Sequence, residues 1–197
     1  THELCQVANR VVSVEIDKGL IPILQETLAD YPNFRLISGD IMKVDISKLA
    51  KNEFGGAPFS VCANLPYNIT TPILMRLLES DLPIQSITIM IQKEVADRFC
   101  AAPGSKAYGA VTAILNYYGS AEKLFHVTAG NFTPIPKVDS TVIRINMYDT
   151  PCVFTSDRDK LFAVVRAAFE QRRKTLRNAI GSVFPGLTKD EIGTVLL

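Results

Sequence analysis

Short apolar runs that alternate with helical patterns constrain this chain more than any other feature. Val11 to Ile16, Phe34 to Ser38, Phe59 to Ala63 and Ile84 to Ile91 have strand length, and helical spacing recurs over Gly19 to Ala29 and Thr71 to Glu79. Parallel strands need a crossover between them, and a helix is the usual crossover, so this order predicts βαβ units around a parallel sheet. The run Pro58 to Ala63 reads as a strand buried on both faces. Further helices are expected over Glu94 to Cys100 and Ala110 to Tyr118, separated by the turn-rich Ala102-Pro103-Gly104-Ser105-Lys106. Two late strands, near Lys123 to Val127 and Val138 to Met147, are joined through Asn131-Phe132-Thr133-Pro134-Ile135-Pro136 and predict an antiparallel edge on a doubly wound sheet. Beyond Thr150-Pro151 the chain reads as helices over Arg158 to Glu170, Lys174 to Val183 and Lys189 to Leu196, so a domain boundary is expected between 1–150 and 151–197.

Composition narrows the class. With 47% apolar and 21% charged residues in 197, the chain can bury a substantial core and does not have the make-up of a disordered segment. Cys5, Cys62, Cys100 and Cys152 lie far apart with no C-x-x-C pair or histidine at ligand spacing, so neither a zinc site nor a disulfide framework is suggested. No apolar run reaches the roughly 18 to 20 residues of a membrane span, and a cytoplasmic protein with reduced thiols is the expectation. The net charge of +1 conceals a split: residues 1–150 carry 13 Lys and Arg against 15 Asp and Glu, whereas 151–197 carry 8 against 5. The tail is the basic part.

Three strand ends carry candidate chemistry. Glu15 closes the first strand, where a carboxylate can accept two ribose hydroxyls at once, and Asp17 reads as the cap of the next helix. Ser38-Gly39-Asp40-Ile41 ends the second; Asp40 can accept from an adenine amine while Ile41 packs on its ring, although Gly-Asp pairs also make simple Asx turns. Asn64-Leu65-Pro66-Tyr67 ends the third and brings together an amide, a free carbonyl and an aromatic ring. The Asn64 oxygen and the Leu65 carbonyl can accept both hydrogens of an extruded adenine's amine, Pro66 stiffens the loop, and Tyr67 offers a stacking face. Phe132, on its Pro-rich loop, can cover the other face of the base or simply cover the sheet edge. Lys106 and the set Arg166, Arg172, Arg173, Lys174 and Arg177 are candidates for phosphate contact, though charge runs are often only solvated faces. At helical spacing Arg166, Arg173 and Arg177 can share a face, with Leu176 and Ile180 turned to the core. His2 and His126 have no Ser or Cys partner pattern and read as structural or surface residues.

Val14-Glu15-Ile16-Asp17, Ser38-Gly39-Asp40, Asn64 to Ile69, Gln92 to Arg98, Pro103 to Gly109, Phe132 to Ser140 and Phe169 to Asn178 together resemble, nearly end to end, the KsgA-type small-subunit ribosomal RNA adenine dimethyltransferases. The resemblance implies a Rossmann-like class I methyltransferase sheet, mostly parallel with an antiparallel edge, and a small C-terminal helical domain that binds RNA. It implies S-adenosyl-L-methionine as cofactor, and conversion of two adjacent adenosines near the 3′ end of small-subunit rRNA to N(6),N(6)-dimethyladenosine. The implied partner is small-subunit rRNA within an immature small ribosomal subunit, with no membrane and no metal. Carried over by position, Glu15, Ile16, Asp40, Ile41 and Asn64 would hold the cofactor; Asn64, Leu65, Pro66, Tyr67 and Phe132 would form the catalytic set, with Tyr67 and Phe132 stacking the base. The family's first strand and its Gly-x-Gly-x-Gly loop do not occur in this sequence. Thr1 to Ala8 reads as the second half of the helix after that loop, so part of the cofactor floor is expected to be missing and the helical domain to stop early.

Other readings of the same residues are a non-catalytic ribosome-assembly factor that binds RNA, a large-subunit rRNA methyltransferase of the erythromycin-resistance type, and a DNA adenine methyltransferase. Leu65, where the erythromycin-resistance group usually has Ile, favours the small-subunit group.

Overall fold

The computed structural model describes residues 1–170 and 174–196, and its strands fall into two sheets. The chain divides into two compact units, one of residues 1–60 and 68–84, the other of residues 61–67 and 85 onward.

The first unit begins with α1 (His2–Val7), β1 (Val11–Glu15), α2 (Leu20–Thr27) and β2 (Phe34–Ser38), and β1 and β2 pair in parallel with Glu15 opposite Ser38. Cys5, Val11 and Leu28 form its buried core, with Ala8, Leu24, Tyr31 and Phe34 packed against them. The Asn33 amide closes α1 by donating to the carbonyls of Cys5 (2.9 Å) and Ala8 (2.7 Å), two of the acceptors that a helix end leaves open. Asp17 is not the cap of α2. Gly19 is the N-cap, and the Asp17 carboxylate instead accepts from the Gly19 N–H at 2.7 Å, making an Asx turn one step ahead of the helix.

A helix absent from the sequence expectations, α3 (Ile46–Phe54), follows β2. Asp45 caps it by accepting from the Lys48 N–H at 2.9 Å, and Gly55 ends it at φ +61°, the left-handed conformation that glycine adopts without cost. Glu53 on this helix, only 9% exposed, accepts from Arg10 (2.5 Å) and Arg35 (2.8 Å), which tie α3 to the entries of β1 and β2. α4 (Thr70–Leu78) completes the unit.

The larger sheet has the order β3 (Phe59–Asn64), β4 (Ile84–Gln92), β6 (Ser140–Met147), β5 (Gly119–Val127). β6 is antiparallel to both its neighbours, which is the antiparallel edge expected from the sequence. β3 does not have both faces buried. Its residues alternate between half-buried and exposed, with Cys62 and Asn64 outward: successive side chains point to opposite faces, and only one face of this strand is covered. The inner strands carry the core: Ile87, Ile89 and Ile91 on β4 and Ile143 and Ile145 on β6 are at most 1% exposed.

The second unit adds α5 (Lys93–Phe99), α6 (Ala110–Tyr118), α7 (Arg158–Glu170), α8 (Leu176–Val183) and α9 (Lys189–Val195). Phe162 of α7 packs edge-on against Tyr117 and tilted against Tyr118, at ring centroid distances of 5.2 and 5.7 Å. The α8–α9 turn is closed by a capping box in which Thr188 and Glu191 bond reciprocally. Leu176 does not face the core: it opens α8 and is 45% exposed, whereas Ile180 is buried.

Candidate active site

In the first unit, parallel pairing brings Glu15 and Asp40 to one edge, the carboxyl ends of β1 and β2. The Gly39 N–H extends the ladder by donating to the Glu15 carbonyl at 2.9 Å. Open α/β sheets receive ligands at this edge. Glu15 commits one carboxylate oxygen to the Asp17 N–H at 2.8 Å, and Asp40 commits one to the Met42 N–H at 2.9 Å. The second oxygen of each takes no partner among the described residues, so each can accept further donors. Ile16 beside them is 65% exposed, an uncovered apolar surface next to two acceptors. This pair of acceptors fits an adenosine: hydroxyls donating to one carboxylate, an exocyclic amine donating to the other, and aliphatic contact for the ring.

Arg76 of α4, which sequence reasoning passed over, holds this edge in shape. Its guanidinium donates to the carbonyls of Ile41 and Val44, the latter at 2.6 Å, and so fixes the turn that follows Asp40. Asp40 adds to the turn by accepting the Lys43 and Val44 N–H groups on its own carbonyl, at 2.8 and 2.9 Å.

In the second unit, Asn64 is the last residue of β3 and is exposed, and its side-chain amide makes no hydrogen bond among the described residues. Leu65 is buried at 8% exposure and donates its N–H to the Met90 carbonyl at 3.4 Å, while its own carbonyl accepts no hydrogen bond among the described residues. Tyr67 is half-buried, and its hydroxyl shares a 2.8 Å hydrogen bond with that of Ser140 at the start of β6. Phe132 follows a single 3-10 turn, Ala129–Asn131, and is also half-buried. Neither Tyr67 nor Phe132 lies against another aromatic ring among the described residues.

The basic candidates separate. Lys106, Arg166 and Lys174 are exposed, Arg172 and Arg173 lie outside the described residues, and Arg177 pairs with Asp190 with its guanidinium over Gly193. Arg166 and Arg177 do not share one helical face. They stand on α7 and α8, which are separate helices.

A Rossmann-like α/β fold with acidic strand tips and Asn-Leu-Pro-Tyr closing another strand defines a class I methyltransferase. The family model of ribosomal RNA adenine dimethylase matches residues 1–193, and the chain belongs to that family. It is 48% identical over 196 residues to ribosomal RNA small subunit methyltransferase A of Alkaliphilus oremlandii, and 46% identical over 196 residues to the protein of that name in Clostridioides difficile. Each alignment covers 100% of this chain and 68% of the relative, so the chain spans about two thirds of their length. Among solved structures it is similar to a dimethyladenosine transferase from Plasmodium falciparum, with TM-score 0.78, 25% identity, and 94% of this chain and 65% of that one covered. It shares its fold with the 23S rRNA methyltransferase ErmE, at TM-score 0.74 and 24% identity over 91% of this chain and 69% of that one. No helix among the described residues is long and apolar enough to cross a membrane.

Proposed function

We propose that this chain carries the adenine-recognition and base-stacking parts of an enzyme that methylates the exocyclic amines of two adjacent adenosines near the 3′ end of small-subunit rRNA, within an immature small subunit. The observation that carries the reading is the pair of acceptors without a partner among the described residues, the Asn64 amide oxygen and the Leu65 carbonyl, three and two residues before a tyrosine ring whose hydroxyl is tied down.

S-adenosyl-L-methionine supplies the methyl group as a sulfonium electrophile when bound. Glu15 and Asp40 would hold its adenosine portion through their unengaged carboxylate oxygens, with Ile16 and Ile41 against the ring. An adenine amine is a poor nucleophile because its lone pair is delocalised into the ring. Asn64 and Leu65 accept its two hydrogens and draw the nitrogen toward tetrahedral geometry, and both bonds strengthen as positive charge develops there. No strong base is required, since the nitrogen becomes acidic only once methylated and then gives its proton to water. Tyr67 and Phe132 stack the extruded base, Pro66 limits the loop's freedom, and residues 151–197 with Lys106 contact the RNA backbone.

The test is transfer of labelled methyl groups by the full-length protein to ribosomal subunits lacking the modification, with label mapped on both rRNAs. Dimethylated neighbouring adenosines near the 3′ end of the small-subunit rRNA support the reading. Label confined to large-subunit rRNA refutes it.

A further inference from the structure

The geometry points to Asp139 and Ser140, two consecutive residues at the entry to β6, as positioning residues that set both walls of the base slot, Asp139 through the Phe132 loop and Ser140 through Tyr67. This rests on the reading of Tyr67 and Phe132 as the stacking pair.

Ser140 is a rigid post. It is fully buried at 0% exposure and sits in register with Gln92 on β4 and Val127 on β5, so ladders on both sides fix its backbone. Its hydroxyl meets the Tyr67 hydroxyl at 2.8 Å, across 73 residues of chain. A phenol held at its far end cannot swing about its side-chain torsions, so the ring face is presented before any base arrives.

Asp139 does the same for the opposite wall by a different route. One of its carboxylate oxygens accepts the Ala129 N–H at 2.8 Å, the first residue of the 3-10 turn, and the other faces His126 Nε2 at 3.2 Å. The Phe132 N–H donates to the Ala129 carbonyl at 3.2 Å, so the carboxylate reaches the aromatic residue through one short turn. Asn131 braces that turn by donating to Thr128 Oγ1 at 2.8 Å. Asp139 is itself anchored, because its carbonyl accepts the Lys93 N–H at 3.0 Å. Two consecutive residues, one just before β6 and one at its start, thus reach two aromatic residues that are 65 positions apart in sequence, Tyr67 and Phe132. A side chain that only stabilised the sheet would have no reason to act through either ring.

The experiment uses an RNA hairpin bearing one 2-aminopurine at a target adenosine. The chain has no tryptophan, so this fluorophore can be excited without exciting the protein, and stacking against an aromatic ring quenches it. S140A is expected to weaken the quenched complex about 2- to 10-fold, the range for one net hydrogen bond, and to be silent in a Y67F background where that bond is already gone. D139A is expected to weaken it about 10-fold in the wild-type chain and to be silent in an F132A background. D139N keeps an acceptor for Ala129 and is expected to restore most of the signal, which also separates positioning from misfolding. Equal losses in wild-type and partner-mutant backgrounds would overturn the assignment. Unchanged quenching in both Y67A and F132A would overturn the stacking reading itself, and the assignment with it.

Discussion

Truncating Asn64 separates catalysis from folding more cleanly than any other change at this site. The side chain is exposed at the end of β3 and makes no hydrogen bond among the described residues, so Asn64→Ala opens no cavity and strands no buried partner. Stability should stay within about 0.5 kcal/mol of wild type, which is about 2 °C or less in Tm for a chain of this size. The rate is another matter. Of the two acceptors proposed for the target amine, one is deleted; a hydrogen bond to a group that becomes charged contributes about 1.5–3 kcal/mol, or about 10- to 150-fold in rate. Loss of a single group from a preorganised polar site can reach about 10³-fold. Single-turnover transfer of labelled methyl groups to unmethylated small subunits should therefore fall about 100-fold in N64A. Half-saturation by RNA should be nearly unchanged, because the interaction matures only in the transition state. Asn64→Asp keeps an acceptor oxygen and should recover at least about tenfold of that loss. A rate for N64A within threefold of wild type, or a fall in Tm of many degrees accompanying the lost rate, would refute the role given to this amide.

Three further outcomes follow from the packing and the charge pattern. Gly119→Ala would place a Cβ at 2.4 Å from the Asn146 carbonyl oxygen across the β5–β6 ladder, and since the obstacle is backbone the strands must separate; a cost of about 3 kcal/mol is expected in urea unfolding, and a loss below about 0.5 kcal/mol would count against that packing. Glu53→Ala removes the shared partner of Arg10 and Arg35; because the two arginine side chains are 36% and 55% exposed and can rehydrate, about 2 kcal/mol is expected in place of the larger penalty for a fully buried pair, read as a fall of about 4–8 °C in Tm. The Thr188 N–H, and after it the Thr188 hydroxyl, hold the Glu191 carboxyl below the usual carboxylate range. A depressed folded-state pKa gives stability that is present above the unfolded value near 4 and lost as pH falls through the folded one, so α9 should unwind in acid, and Thr188→Ala should make the helical circular dichroism signal less dependent on pH below about 4.

The fold was legible wherever a period or a strand length could be counted. Val11, Phe34 and Ile84 each begin a strand at the position expected, and α6 and α7 have the bounds that their apolar spacing implied. α3 escaped because only Ile46, Leu49, Ala50 and Phe54 give it an apolar stripe, although its Asp45 cap and Gly55 stop are both readable signals. Leu176 was misplaced for a related reason: periodicity treats residues 174–183 as uniform helix, but the first residue of a short helix has no preceding turn to bury it. The apolar composition of Pro58 to Ala63 implies burial on both faces of β3, but composition does not say whether each face is covered by another layer.

The site divides along the same line, and the division has a physical cause. Glu15, Asp40 and Asn64 through Tyr67 stand on strand ends, where a local pattern is enough to say that a side chain leaves the sheet and faces a ligand edge. Arg76 reaches the Ile41 carbonyl beside Asp40, Asp139 the Ala129 N–H ahead of Phe132, and Ser140 the Tyr67 hydroxyl, through hydrogen bonds spanning 35, 10 and 73 positions, and no local period encodes a contact of that kind. The Ser140 hydroxyl looks like that of any strand serine until Tyr67 is seen to meet it. Groups that touch a ligand must be presented outward by short-range geometry, whereas the groups that hold them still must come from elsewhere in the fold. A serine or aspartate at the first turn of a strand that follows an aromatic-bearing loop is therefore the kind of residue to test for positioning, even where its own segment gives no sign of chemistry.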